Sequence, residues 1–189
     1  MNVDRINPGC CTFEKQYIYV FGGRSADARA EFYDSIERLN IDLNLWSFIK
    51  IKLPSKLCNL YAFPVKQDYI LVLGGLKRIQ IDSRTGEVID ENYKKKVKAK
   101  YIKLEQQVDS DVYMYSLSKQ VWFPLRPLSK QMKVCNVTPT GDCRFNCFLL
   151  QKPSDGSQQK QQQSYPLNIV YDLKVICPRL DRYWYFDHM

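Results

Sequence analysis

The strongest constraint on this chain is that it repeats itself. Tyr17-Ile18-Tyr19-Val20-Phe21-Gly22-Gly23 returns as Tyr69-Ile70-Leu71-Val72-Leu73-Gly74-Gly75. The two Gly-Gly pairs lie 52 residues apart. Each follows a short β-branched and aromatic run, the pattern of a buried strand that ends in a sharp turn. A second landmark ends in tryptophan three times. The segments are Asp34 to Trp46, Ser110 to Trp122 and Asp172 to Trp184, and they contain every Trp of the chain. Seven residues before each Trp stands an apolar side chain (Leu39, Tyr115, Cys177), and turn formers such as Asp42, Asn44, Ser118 and Asp181 fall between. This predicts strand, tight turn, then a strand that opens with Trp.

A third unit is more worn. Cys58-Asn59 recurs as Cys135-Asn136, and a gapless comparison from there places Tyr69 to Leu73 on Asn146 to Leu150. Gly74-Gly75 then falls on Gln151-Lys152, so this unit keeps its strand and loses its glycines.

Strand, Gly-Gly, a variable loop, Tyr-Asp, about a dozen residues and Trp together resemble the kelch repeat, whose units run ~50 residues. Unit one, 1–54, carries Gly22-Gly23, Tyr33-Asp34 and Trp46. Unit two, 55–129, carries Gly74-Gly75 and Trp122, lacks Tyr-Asp, and holds an insertion over 76–108. Unit three, 130–189, carries Tyr171-Asp172 and Trp184 and has a Gln-rich loop over 151–168. The resemblance implies an all-β fold of three propeller blades, each of four antiparallel strands. It implies structural roles for Gly22, Gly23, Gly74, Gly75, Tyr33, Tyr171, Trp46, Trp122 and Trp184. Closed propellers have ~4–8 blades, so three leave the ring open unless another chain completes it. Self-association that completes the ring is therefore expected, two copies being the simplest symmetric version.

Composition narrows the class. Aromatics at 13% are too many for a disordered tail. No stretch approaches the ~20 apolar residues of a membrane helix. The opening residues, with Asp4, Arg5, Asn7 and Pro8, do not read as a signal peptide. Seven Cys, an odd number, make no disulfide framework, so reduced thiols in a cytoplasmic protein are expected.

The net charge of +8 favours acidic partners. Half of it falls in 76–108, which holds nine basic and five acidic residues. Within it, Arg78 to Asp90 reads as a hairpin about Ser83-Arg84-Thr85-Gly86. Next come Lys94, Lys95, Lys96, Lys98, Lys100 and Lys103 with no acid among them. Lys96, Lys98 and Lys100 alternate with Val97, Ala99 and Tyr101, the period of a half-exposed strand. These six lysines are the candidate partner-binding residues. A solvated edge strand protected by lysines is the competing account. A nucleic-acid backbone is the other acidic partner to weigh, although the run lacks the stacking platform and Arg content of a dedicated binder. The Gln158 to Gln163 tract reads as a flexible spacer.

Catalytic chemistry finds little to use. The one His is His188, next to last, and a triad or a copper site would need imidazole held in a core. Cys143 and Cys147 are four apart, Cys10 and Cys11 are adjacent, and no C-x-x-C pair exists. Neither phosphate-loop pattern appears at the glycine pairs. Asp90-Glu91 and Asp109/Asp111 have no partner base. The expectation is a protein that is not an enzyme and needs no cofactor or metal, and that binds other subunits in a larger assembly. A cytoskeletal or ciliary scaffold suits a basic face, because such lattices are acidic. RNA binding through the insertion and a substrate adaptor of a ubiquitin ligase are the alternatives.

Overall fold

A computed structural model describes residues 1–27, 31–65, 68–89 and 97–128, together with the backbone of strands over 132–139, 144–151 and 166–172. The chain is all-β. Among the described residues the sole helical element is a 3-10 turn at Ala99–Tyr101. No helix among them is long and apolar enough to cross a membrane.

The first sheet is a four-stranded antiparallel meander of β1 (Gly9–Phe13), β2 (Tyr17–Phe21), β3 (Ile36–Asn40) and β4 (Leu45–Ile49). The second joins β5 (Tyr61–Val65), β6 (Tyr69–Leu73), β9 (Val112–Ser116) and β10 (Val121–Leu125) in the same order. Between its second and third strands the chain leaves to form a two-stranded ribbon, β7 (Leu76–Asp82) and β8 (Ile102–Val108). A third sheet contains β11 (Met132–Pro139), β12 (Arg144–Gln151) and β13 (Pro166–Asp172). The strand expected to open with Trp184 lies outside the described residues, as do 152–165 of the Gln-rich loop expected over 151–168, whose ends, 151 and 166–168, belong to β12 and β13 instead. The first strands lie side by side, β1 against β5 and β5 against β11.

The first two sheets repeat in atomic detail. Leu39 pairs with Trp46, and Tyr115 pairs with Trp122. The turns before the two Trp strands put Asn44 and Gln120 at positive φ, 48° and 53°. An isolated bridge joins Ile6 to Arg24, and 52 residues later another joins Cys58 to Leu76. Asn7 and Asn59, one residue further on, both have positive φ.

Partners in an antiparallel ladder share a face, and successive residues alternate. The first sheet therefore has two faces. One carries the rows Gly9–Phe21–Ile36–Ile49, Cys11–Tyr19–Arg38–Ser47 and Phe13–Tyr17–Asn40–Leu45. Phe21, Ile36, Tyr19, Phe13 and Cys11 of this face join Ile70 and Val72 of the second sheet in one core. Leu53, Leu57 and Leu60 of the connection fill the join. Trp122 closes it: its indole lies 6.3 Å from the Phe21 ring and 4.9 Å from Tyr115, and its N–H donates to the Lys52 carbonyl at 2.8 Å.

The glycine pair has a steric reason at this join. The Gly23 N–H donates to the Leu57 carbonyl at 2.8 Å. Gly22 sits at φ +58°, and a Cβ there would stand 2.4 Å from that same carbonyl oxygen. Gly22→Ala is therefore expected to lose more than about 2 kcal/mol, left-handed strain plus a backbone collision. Gly86, at φ +74° in the ribbon turn, has nothing within 4 Å of its Cβ position, so Gly86→Ala is expected to cost about 1 kcal/mol. Urea denaturation of the two variants checks the contrast. Equal losses would mean that the close approach of the two sheets is not what requires Gly22.

Candidate functional site: the basic ribbon and its base

The ribbon β7–β8 runs over seven paired positions from Leu76↔Val108 to Asp82↔Ile102. A two-stranded ribbon is marginal by itself, so it needs side chains to hold it. Ile81, Ile89 and Val97 are buried in this part of the chain. The hairpin expected over 78–90 is only partly formed. Ile81 bridges Val88, Asp82 accepts the turn's Gly86 N–H on its carbonyl, and the long pairing of β7 goes to β8 instead. The strand expected through Lys96–Tyr101 is not formed over its described part, 97–101. Ala99–Tyr101 is a 3-10 turn, and Lys98, Ala99 and Lys100 are all exposed together. The Tyr101 N–H bonds back to the Lys98 carbonyl at 2.9 Å, which a strand could not do. Local turn bonding has overridden a two-residue alternation that had no apolar sheet to face.

Of the six candidate lysines, Lys98, Lys100 and Lys103 are described. Lys94, Lys95 and Lys96 lie outside the described residues. Of these three, Lys100 lies over one aromatic ring, that of Tyr101. Tyr101 has the Arg84 guanidinium 4.3 Å from its centroid and the Lys100 ammonium at 5.0 Å. Arg84 is fixed from the other side by buried Asp82, through Nη2–Oδ2 at 2.7 Å and Nε–Oδ1 at 3.1 Å. These bonds hold the Asp82 carboxyl below its ordinary range. Lys103 pairs with Glu105 at 2.9 Å, which takes part of its charge. Lys98 makes no ion pair among the described residues and stands exposed at the start of the 3-10 turn. The cationic surface is thus Lys98 and Lys100 beside Arg84 and Tyr101, with Lys103 partly neutralised.

The base of the ribbon ties it to both sheets. Lys77 donates to buried Asp109 at 2.8 Å. Burial raises the Asp109 carboxyl above its ordinary range, against the pull of Lys77. The Asp109 N–H reaches the Gly75 carbonyl at 2.9 Å. Arg78 lies 5.1 Å over the Phe32 ring, which belongs to the loop between β2 and β3. That loop carries Tyr33, whose N–H donates to the Gly23 carbonyl and whose ring lies 5.3 Å from the Arg5 guanidinium.

Sequence reasoning missed Arg5 and Glu37. Arg5 Nε and Nη2 donate to Glu37 Oε1 at 3.0 and 2.9 Å, and both side chains are fully buried. Arg5 also donates to the Gly22 and Ser35 carbonyls, and the Asn2 N–H donates to Glu37 Oε2. The available signal was an acid at the second position of β3, where the second sheet has Tyr113.

The three buried acid groups of this region, Glu37, Asp82 and Asp109, are each committed to a cation of the framework. Burial raises the thiols of Cys11, to about 12, and of Cys58, which leaves these two poor nucleophiles. No cluster of three or more metal-ligating side chains occurs among the described residues.

The fold is an all-β, blade-type arrangement of antiparallel four-stranded sheets. The solved structure of YjhT has a similar one. It matches with a TM-score of 0.52 and 14% sequence identity, over 86% of this chain. The chain spans 52% of the YjhT chain, about half its length. No family model matches the sequence, and no curated protein does.

Proposed function

We propose that this protein is a kelch-type β-propeller module that works by binding other proteins, without catalysis, as a subunit or scaffold of a cytoplasmic assembly. Its partner-binding surface is the ribbon β7–β8, and the partner surface is acidic. The observation that carries this reading is the exposed pair Lys98 and Lys100 at the 3-10 turn that leads into β8, beside the Arg84–Tyr101 stack. A cation over an aromatic ring keeps its charge and gains a flat apolar platform, which suits a carboxylate-rich protein surface. The same surface would meet acidic cytoskeletal or ciliary lattices, or the acidic face of a ligase subunit.

The test uses two probes, a poly-glutamate peptide and a single-stranded RNA of equal charge. Changing Lys98, Lys100 and Lys103 together to Gln is expected to weaken peptide binding about tenfold, as three exposed charge contacts of ~0.5 kcal/mol each would. RNA is expected to bind more weakly than the peptide. RNA binding that is tighter, with an affinity that falls steeply and linearly in log salt, would identify a phosphate backbone as the partner. Unchanged peptide affinity in the triple variant would make the ribbon a solvated edge and nothing more.

A further inference from the structure

One edge of the ribbon β7–β8 is met by the chain and the other is open. Pairs in an antiparallel ladder alternate between those that bond to each other and those whose N–H and C=O point away. Here the alternation is fixed one step beyond each end of the ladder. The Ser83 N–H donates to the Tyr101 carbonyl and the Asp109 N–H to the Gly75 carbonyl, so both of these pairs point inward. Along the register between them, Asp82↔Ile102, Gln80↔Leu104, Arg78↔Gln106 and Leu76↔Val108 point outward. On the β7 side such groups find partners. The Asp82 N–H donates to the Glu87 carbonyl, the Gln80 carbonyl accepts from Ile89, and Leu76 exchanges two bonds with Cys58. On the β8 side the Ile102 N–H turns back to the Ala99 carbonyl. Among the described residues nothing meets the outward N–H and C=O of Leu104 and Gln106.

The side chains along this edge say what would fit it. Proteins commonly blunt an open edge with charge, as exposed Lys103 would, but Glu105 takes part of that charge. Between these two, on the opposite face, Leu104 is 56% exposed. From 98 to 108 the chain holds three lysines and one glutamate, and Lys98 and Lys100 stand exposed where the edge begins. The edge therefore offers unmet backbone donors and acceptors, one apolar contact and a cationic end.

We propose that an extended segment of the acidic partner adds to β8 as a third, antiparallel strand of the ribbon. Its backbone pairs with Leu104 and Gln106, an apolar residue packs on Leu104, and its carboxylates lie toward Lys98, Lys100 and Lys103. This rests on the ribbon reading and names how the partner is held there. Charge complementarity selects the occupant, because a second copy would bring the same lysines and the same net +8 to the edge. Strand addition draws its affinity from main-chain bonds and its specificity from alternate side chains. An acidic strand with every second residue apolar supplies both here.

The probe is an end-capped peptide, Thr-Val-Thr-Val-Glu-Val-Glu-Glu, whose acids fall toward the 3-10 turn when a valine faces Leu104. A second peptide of the same sequence is N-methylated at its six central residues, which keeps the charge and removes the strand donors. Affinity and amide hydrogen exchange are the readouts. In the free protein the Leu104 and Gln106 amides are expected to exchange freely, while those of Ile79 and Glu105, which bond across the ribbon, stay protected. With the first peptide bound, Leu104 and Gln106 become protected. N-methylation is expected to weaken binding by about tenfold or more. Gln106→Pro removes an outward N–H, which an edge strand tolerates, and is expected to weaken binding of the first peptide with Ile79 and Glu105 still protected. Exchange in the wild-type protein decides the matter if proline disturbs the ribbon. Poly-glutamate binding that depends on Lys98, Lys100 and Lys103, beside a peptide that leaves Leu104 and Gln106 exchanging freely, would overturn strand addition and leave the ribbon reading standing. Unchanged affinity for both probes in the triple Gln variant would overturn the ribbon reading beneath it. Protection of Leu104 and Gln106 in the free protein that grows with concentration would put a second copy on the edge and overturn the proposal as well.

Discussion

Replacing Glu37 with Ala is expected to destabilise the fold by about 3–5 kcal/mol, the cost of leaving a buried guanidinium without its carboxylate. Arg5 and Glu37 are fully buried and joined by two hydrogen bonds, and Arg5 reaches Gly22 and Ser35 besides. With Glu37 gone, Arg5 Nε would lose its partner in a site closed to water. A small domain has only about 5–15 kcal/mol in total, so the loss removes a large share of it. The pair is not expected to be the most stable solution. Arg5→Met with Glu37→Leu removes both charges together, and it should recover most of the loss. Urea denaturation of the three proteins gives the answer. A Glu37→Ala loss below about 1 kcal/mol would show that the charge is solvated and that the opening residues do not seal the first sheet.

Trp122→Ala is the second large effect, about 3 kcal/mol, because the half-buried ring packs against the core between the sheets. The indole touches Phe21, Tyr113 and Tyr115 and bonds Lys52, so it connects both sheets and the segment between them. Trp46→Ala should cost only about 1 kcal/mol, because that ring, although half-buried as well, is not packed against the core between the sheets. The two tryptophans are equivalent in the ladder and unequal in their neighbours. Equal losses would contradict the packing of Trp122, and not of Trp46, against the core between the sheets.

How far these features could be read in the sequence depends on whether a residue's role is local. The strands before Gly22 and Gly74 and the turns before Trp46 and Trp122 were legible because their signals are short-range: β-branched runs, positive-φ turns, a fixed ladder offset. The register pairs Leu39–Trp46 and Tyr115–Trp122 follow from the same seven-residue spacing that the sequence displays. Arg5 was illegible because its partner is 32 residues away and its repeat equivalent is an ordinary buried leucine, Leu57. Nothing in the first unit alone announces that an ion pair replaces an apolar contact there. The ribbon was read half correctly. Its charge and its place after Gly74-Gly75 and before Trp122 were visible. The alternation at Val97, Ala99 and Tyr101 pointed to a strand, but a period of two specifies a strand only where a sheet waits to pair with it, and β7 pairs with Ile102–Val108 instead. The stack of Arg84 on Tyr101 could not be foreseen either, because it depends on how tightly the ribbon closes.

The account rests on the first two sheets being one repeated unit packed face against face, and the contact between Phe21 and Trp122 bridges that join. A double-mutant cycle with Phe21→Leu and Trp122→Leu measures it most directly. The predicted coupling is about 0.5–1.5 kcal/mol, the range for an edge-to-face aromatic pair, on top of large single losses. Strictly additive losses would mean that the two rings never meet, and would contradict the stacking of the sheets on which the ribbon's position depends.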